Sequence, residues 1–399
     1  MAERARGAMA GAMLLAALTL STPALCRDFL LGVHTGFDAG ALTVAGDDFA
    51  TMRAHVDRAA ALGARLLRVP ADWRQLQPRR GAPQGTFDRH QLSLLLETVR
   101  HAAGRGLRVV VMLAQSPCWA VPAGLDCETP EAIWHPPLDP KAYAAAFAYL
   151  AGELKDAGLA PVVVGWEVWN EPNSITFWPA GHIRAGYNVL VGPSDADGYV
   201  ALLNAANDAL KAVDPGFTVL GGSLASADTA YLERMYDLGA RYDGLAIHPY
   251  AKADPARDGL AYGPDACGAG TDPLAPPWCF RAGVEALRAV MRRHGDDRPV
   301  WFTEFGWSSH AGWGGSGSEE AQAANLKGAL DLIAGWDFVP AAIVYRLVDD
   351  AEGMGLLRDD LGEKPAGTVF SRWRSVEETA VEGGPGAGTP VDLKGSVAD

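Results

Sequence analysis

Val162-Val163-Val164-Gly165-Trp166-Glu167-Val168-Trp169 followed by Asn170-Glu171-Pro172-Asn173 is the stretch from which the fold can be read. Its first eight residues form a short, almost continuously apolar run, as in a parallel strand buried on both faces. The polar residues come at the carboxyl end. A carboxylate placed there faces a cleft rather than the core if the strand belongs to a barrel.

Working outward, runs of the same kind recur at Phe29–His34, Arg65–Pro70, Arg108–Ala114, Thr218–Gly222, Gly244–His248, Pro299–Glu304 and Ala341–Leu347. Helical patterns separate them: Asp47–Leu62, Arg89–Ala103, Pro140–Ala157, Asp195–Val213, Asp228–Gly239, Arg281–Arg293, Ser318–Ala334 and Lys364–Trp373. In the first, Phe49, Met52, Val56, Ala59 and Ala60 fall at helical spacing, and Gly63 follows as a stop. Eight strand–helix units predict an α/β fold with right-handed crossovers, closed as a single (β/α)8 TIM barrel over residues 27–374. No Gly-x-Gly-x-x-Gly follows the first strand, so a dinucleotide site has no support. The long loops 116–137, 173–193 and 251–280 all follow strand carboxyl ends, the catalytic face of such a barrel. From 375 to 399 the composition is that of a disordered tail.

The ends of the chain and its cysteines bear on location. Arg4 and Arg6 precede the apolar run 8–20 and then Ser21-Thr22-Pro23-Ala24-Leu25-Cys26, the pattern of a secretory signal covering residues 1–26. Cys26 lacks a lipoprotein cleavage box, because Leu25 stands where a small residue is needed. The expected location is secreted or periplasmic, with no membrane attachment after signal cleavage. In an oxidising compartment the simplest pairing of the other cysteines is Cys118 with Cys127 and Cys267 with Cys279. Free thiols and a metal site are the rival readings, and no Cys-x-x-Cys or histidine cluster supports zinc. The chain carries 34 Lys+Arg against 48 Asp+Glu, so its field repels nucleic acid and favours a ligand of little charge.

A second motif, Trp301-Phe302-Thr303-Glu304-Phe305-Gly306-Trp307, ends the seventh run. Glu171 and Glu304 therefore stand at the ends of strands on different sides of the barrel, where they can face each other across a bound bond. Cleaving an acetal needs a proton donor for the leaving oxygen and an anion to meet the oxocarbenium-like centre. A protonated Glu171 and an ionised Glu304 would supply these, without cofactor or metal, if apolar cover raised one pKa and donors lowered the other.

Together the two motifs resemble the large clan of retaining barrel glycosidases (clan A), and most closely glycoside hydrolase family 39 or a family 5 cellulase-like relative. The similarity runs from about Leu30 to Trp373. It implies Glu171 as acid/base, Glu304 as nucleophile and Asn170 as the residue that binds the sugar 2-hydroxyl. It also implies that Arg68 hydrogen-bonds the nucleophile and that His248-Pro249-Tyr250 lies close to it. Gly355-Leu356-Leu357 and Lys364-Pro365 resemble the segment that leads into the last helix. Where many clan members place a tryptophan on strand eight, this sequence has Tyr345. Family 39 xylosidases carry an extra β-sandwich, for which there is little room here.

Each residue also has a structural reading. Arg68 needs an anionic partner, either Glu304 or Glu167, and Glu167 reads as a buried structural carboxylate. His248 can be a core histidine or a site residue, and His34 reads as structural. Tyr250 would hold Glu304 in place and lower its pKa. Of Trp73, Trp119, Trp178, Trp307 and Trp313, we expect Trp73, Trp178 and Trp307 to offer indole faces to sugar rings. The expected activity is hydrolysis of a polysaccharide or oligosaccharide by a monomer. Two alternatives differ in class: a carbohydrate-binding barrel without catalysis, and a metal-dependent hydrolase. The latter would want His-x-His on strand one, where His34 stands alone.

Overall fold

The computed structural model describes residues 29–35, 48–179, 196–251, 253–254, 260–261, 263–266, 278–311 and 315–382. Eight parallel strands close into a barrel: β1 (Leu30–His34), β2 (Leu66–Asp72), β3 (Arg108–Ala114), β4 (Val163–Val168), β5 (Val219–Ala225), β6 (Gly244–His248), β7 (Val300–Phe305) and β8 (Ala341–Val344). Each pairs with the next in sequence, and β8 returns to β1 with Leu30 opposite Ala341. The helices outside are α1 (Asp48–Ala61), α2 (Arg89–Gly104), α3 (Pro140–Asp156), α4 (Ala196–Val213), α5 (Thr229–Asp237), α6 (Phe280–Arg293), α7 (Glu319–Ile333) and α8 (Pro365–Glu382).

Local chemistry explains the helix starts. Asp88, Asp139, Asp228 and Ser318 each accept a backbone N–H from the first turn of the helix that follows. Pro140 sits in the first turn of α3, where no N–H partner is needed.

The barrel interior is layered, and the alternation of side chains along each strand builds the layers. Leu66, Val110, Leu220, Ala246, Trp301 and Ile343 pack together as an apolar floor. Two residues further along their strands, Arg68, His248 and Thr303, each 0 % exposed, form a polar layer above Leu66, Ala246 and Trp301. Glu167 bears the same relation to Gly165, where a Cβ would come within 2.8 Å of Leu220.

Three boundaries differ from expectation by three residues or more. β5 continues past Gly222 through a register shift, with Ser223 at φ +48°, and ends at Ala225. The Gly-Gly-Ser run reads as a strand end because glycine weakens a strand; here it forms a bulge that re-aims a side chain. β8 stops at Val344 rather than Leu347. α8 runs on to Glu382, into the stretch expected to be a tail from 375. The expected signal segment, Cys267 and Trp313 lie outside the described residues. Among those residues, no helix is long and apolar enough to cross a membrane.

Candidate active site

Arg68 organises the polar layer. Its Nε donates to Glu167 Oε2 at 2.6 Å, its Nη1 to Glu304 Oε1, and its Nη2 to Asn170 Oδ1 at 3.0 Å. Arg68 is 0 % exposed, so its charge must be met by buried anions, and both carboxylates proposed for it from the sequence are present. Ser223, re-aimed by the β5 bulge, donates to the other oxygen of Glu167 at 2.7 Å. Glu167 is fully buried, which pushes its carboxyl up, but Arg68 and His248 outweigh that and bring it down to about 2. It is a fixed anion.

Glu171 and Glu304 rise from β4 and β7 into the cleft above this layer. One oxygen of each, together with His248 Nδ1 or Nε2, lies within 4.8 Å of the others. Glu171 has φ +45°, a left-handed conformation sparsely used by residues other than glycine, and its N–H is held by Ser223 O at 2.9 Å. Asn173 fixes the turn beyond it: its Nδ2 donates to Ala225 O at 3.0 Å and to Asp228 Oδ2 at 3.1 Å, and its Oδ1 accepts from Ala225 N at 2.9 Å.

The two carboxyls have opposed environments. Burial pushes Glu171 up; a hydrogen bond from His248 Nδ1 at 2.8 Å opposes this, and the nearby Glu304 charge adds to it, leaving Glu171 above the usual range. Burial also pushes Glu304 up, but His248, Arg68 and the Tyr250 hydroxyl, which donates at 2.8 Å, bring it below the usual range. Burial pulls His248 down, yet Glu304, Glu167 and Glu171 raise it to about 9. As an imidazolium it donates through Nδ1 to Glu171 and through Nε2 to Thr303 Oγ1 at 3.1 Å. His34, by contrast, is lowered to about 3 by burial and the Arg68 charge, so it is neutral at the rim.

The cleft is lined by Arg68, Asn170, Glu171, Glu304, His34 and Tyr345, with Asp72, Gln115, Trp134 and Phe177 along one side. Tyr345 stands at the end of β8, its ring 5.0 Å from His34, so the strand-eight position does present an aromatic ring to the site. His248 must be placed differently from the expected substrate contact: it is 0 % exposed and acts from behind the carboxylates.

Three expected platforms are core residues instead. Trp73, Trp178 and Trp307 are 0, 1 and 3 % exposed. Trp73 packs edge-on against Trp119 and Tyr143 and donates to Gln77 Oε1 at 2.8 Å. Trp178 packs between Trp169 and Tyr199, and Trp307 against Phe280. Trp73 and Trp307 lie just after strand ends and Trp178 in the loop after β4, and in each place burying the large apolar indole among other rings outweighs offering it to solvent. Trp134 and Phe177, which sequence reasoning missed, are the indole and phenyl rings that line the cleft. Their positions inside the long loops after β3 and β4 were the available signal.

Cys118 and Cys127 are joined by a disulfide within the loop after β3. Cys279 is also disulfide-bonded, and its expected partner Cys267 lies outside the described residues. Glu171, His248 and Glu304 are close enough to share a metal ion. The same three groups are equally suited by type and spacing to acid–base and nucleophilic chemistry without one.

The family model for cellulase (glycosyl hydrolase family 5) matches residues 32–341. No curated protein sequence matches the chain. Among solved structures, a family 39 glycoside hydrolase from Bacteroides cellulosilyticus WH2 is 20 % identical over 88 % of this chain, with a TM-score of 0.62. The chain spans 64 % of that protein's length. A monomeric β-xylosidase from Caulobacter crescentus CB15 is 17 % identical over 88 % of this chain and 68 % of its own, TM-score 0.61. A GH5_18 protein from Streptomyces cattleya, solved with Manβ1-4GlcNAc, is 21 % identical over 88 % and 81 %, TM-score 0.59. At these identities the solved structures share the fold, while the family match spans the barrel and both glutamate motifs, and so the chain belongs to glycosyl hydrolase family 5, the cellulase family.

Proposed function

We propose that this protein is a retaining β-glycoside hydrolase acting on an oligosaccharide or polysaccharide, with Glu304 as nucleophile and Glu171 as acid/base. The spacing of the carboxylates carries the reading. One oxygen of each lies within 4.8 Å of the other, a close approach that favours the ~5–5.5 Å carboxyl separation of a double displacement over the roughly 6.5–9.5 Å of an inverting site.

Glu304 attacks the anomeric carbon as the bond to the leaving oxygen breaks, and the Glu171 proton passes to that oxygen. A glycosyl ester of Glu304 remains. Glu171, now ionised, takes a proton from water, the hydroxide oxygen bonds to the anomeric carbon, and Glu304 leaves as a carboxylate. Asn170, held by Arg68, is placed to meet the sugar 2-hydroxyl.

Charge supports the same assignment. Arg68 and His248 supply two positive charges against Glu167 and Glu304, and the proton on Glu171 makes the buried set neutral. Esterifying Glu304 removes one negative charge at the step where Glu171 gains one. The site therefore stays neutral through the cycle, which matters where water is excluded.

Export is part of the proposal, supported by the signal-like start of the sequence and by the disulfide bonds, which persist in oxidising compartments. A monomer is the simplest assembly for a site built within one chain.

Aryl β-glycosides and β-linked polysaccharides, assayed with proton NMR of the first-formed anomer, test the reaction. We expect a β product first and hydrolysis that persists in chelator. Glu171→Gln should lower kcat/KM about 10²–10⁴-fold on substrates with poor leaving groups. An α product would refute retention, loss of activity in chelator would favour a metal site, and binding without turnover would favour a lectin-like barrel.

A further inference from the structure

Glu171 stands where the backbone turns sharply out of the barrel. Trp169 has φ +69° and Glu171 φ +45°, so two of the three residues after β4 lie in the left-handed region. The turn starts at the Val168–Trp169 peptide, and tyrosine hydroxyls grip that peptide at both of its polar groups.

On one side Tyr199 reaches in from α4. β4 and β5 pair through Trp166 with Val219 and Glu167 with Leu220, and Trp166 N bonds Thr218 O at 2.9 Å. In the evenly spaced pattern of parallel strands, a later rung would join Gly222 N to Val168 O. The Tyr199 hydroxyl bridges these two groups, accepting from Gly222 N at 2.7 Å and donating to Val168 O at 3.2 Å. On the other side Tyr143 reaches in from α3. Trp169 N donates to Leu113 O at 3.1 Å. The Tyr143 hydroxyl clamps that bond, donating to Leu113 O at 2.6 Å and accepting from Trp169 N at 3.2 Å.

Each tyrosine is the fourth residue of its helix, and both are 0 % exposed. Tyr143 packs on Trp73, Phe147 and Trp169, and Tyr199 on Trp178 and Tyr231, so neighbouring rings fix both hydroxyls. Burial raises both phenols above their ordinary range, so each keeps its proton and can donate.

We propose that Tyr143 and Tyr199 are positioning residues for the acid/base: by fixing the Val168–Trp169 peptide plane they set where Glu171 meets the leaving oxygen. Rotating that plane changes the entry to Trp169 and displaces the residues after it. Asn170 has its own anchor in Arg68, and Glu304 is held from β7 by Arg68 and Tyr250. Glu171 N, by contrast, is held by Ser223 O at 2.9 Å, next to the Gly222 that Tyr199 clamps. Tyr199 therefore bears on Glu171 through β4 and β5 together. This inference rests on the hydrolase reading, with Glu171 as acid/base.

Leaving-group dependence tests it. A phenyl β-glycoside needs a proton on its leaving oxygen, whereas a 2,4-dinitrophenyl β-glycoside departs without one. Both kinds, built on glucose, mannose and xylose, are assayed with wild type, Glu171→Gln, Tyr143→Phe and Tyr199→Phe. Tyr199→Phe should lower kcat/KM on the phenyl substrate about tenfold. Tyr143→Phe should lower it about threefold, because Trp169 N keeps its direct bond to Leu113 O. On the dinitrophenyl substrate both variants should keep kcat/KM within about twofold, which also reports that the barrel and Glu304 are intact. There kcat falls at the second step, where Glu171 acts as base, and azide, which needs no base, should restore it. Should Tyr199→Phe not fold, Tyr143→Phe carries the comparison. Equal loss on both substrates, or no loss on either, overturns the proposal. Glu171→Gln without leaving-group dependence, or a wild type that cleaves none of these glycosides, would instead refute the hydrolase reading beneath it.

Discussion

At the scale of single residues, His248 sets the charge of the site although it is sealed from the cleft. Held as an imidazolium, it favours the ionised forms of both Glu171 and Glu304. The wild-type rate should rise with pH as Glu304 ionises and fall as Glu171 loses its proton, the two limbs belonging to the coupled pair. Replacing His248 by Asn removes the positive charge, so both carboxyls should titrate at higher pH. The profile of kcat/KM against pH is then expected to move bodily to the alkaline side. A profile that keeps its limbs while losing height would show that His248 only shapes the site. Much of this was legible in the residues themselves: a buried arginine demands anions, and two glutamates at strand ends demand a shared task. The partner of His248 was not, because a histidine on a strand gives no sign of which carboxylate crosses the barrel to meet it.

At the scale of elements, the site depends on how closely β7 approaches β8. A Cβ on Gly306, just past Glu304-Phe305, would stand 2.6 Å from the carbonyl oxygen of Tyr345. Tyr345 N also bonds Phe305 O at 2.8 Å, so the strands cannot part without losing that pairing. Gly306→Ala should cost about 1–3 kcal/mol by urea denaturation and lower kcat, since the shift reaches both Glu304 and Tyr345. Unchanged stability would mean that the strand ends yield freely. The β5 bulge is the counterpart that the sequence concealed. Gly221-Gly222-Ser223 looks like the close of a strand, and only pairing with β6 shows that it continues and turns Ser223 onto Glu167.

Over the whole molecule, the buried polar layer ties global stability to pH at both ends. Glu167 titrates near 2 against an ordinary value of 4.5, so its stabilising effect is complete above about 4.5 and is lost as pH falls through about 2. His248 titrates near 9 against 6.5, so its effect is complete below about 6.5 and is lost as pH rises through about 9. Each is worth roughly 3 kcal/mol when fully expressed. Urea denaturation at a series of pH values should show a plateau between these windows, with Glu167→Gln flattening the acid slope and His248→Gln the alkaline one. Stability curves of wild type and His248→Gln that stay parallel from pH 6.5 to 9 would place the His248 charge elsewhere.

The sequence by itself determined the eight-fold strand and helix order, the ends that carry Glu171 and Glu304, and the need for an anion beside Arg68. These follow from periodicity and from the cost of burying charge, which act within a few residues or at a single side chain. Tertiary structure alone decided which tryptophans line the cleft and which are buried in the core: Trp73, directly after β2, is buried, whereas Trp134, at the end of a short helix in the loop after β3, lines the cleft. It also decided that β5 bulges, that His248 bonds Glu171, and that Gln115 and Trp134 line the same cleft. Those relations join strands and loops far apart in the chain, and no local pattern encodes the distance between them.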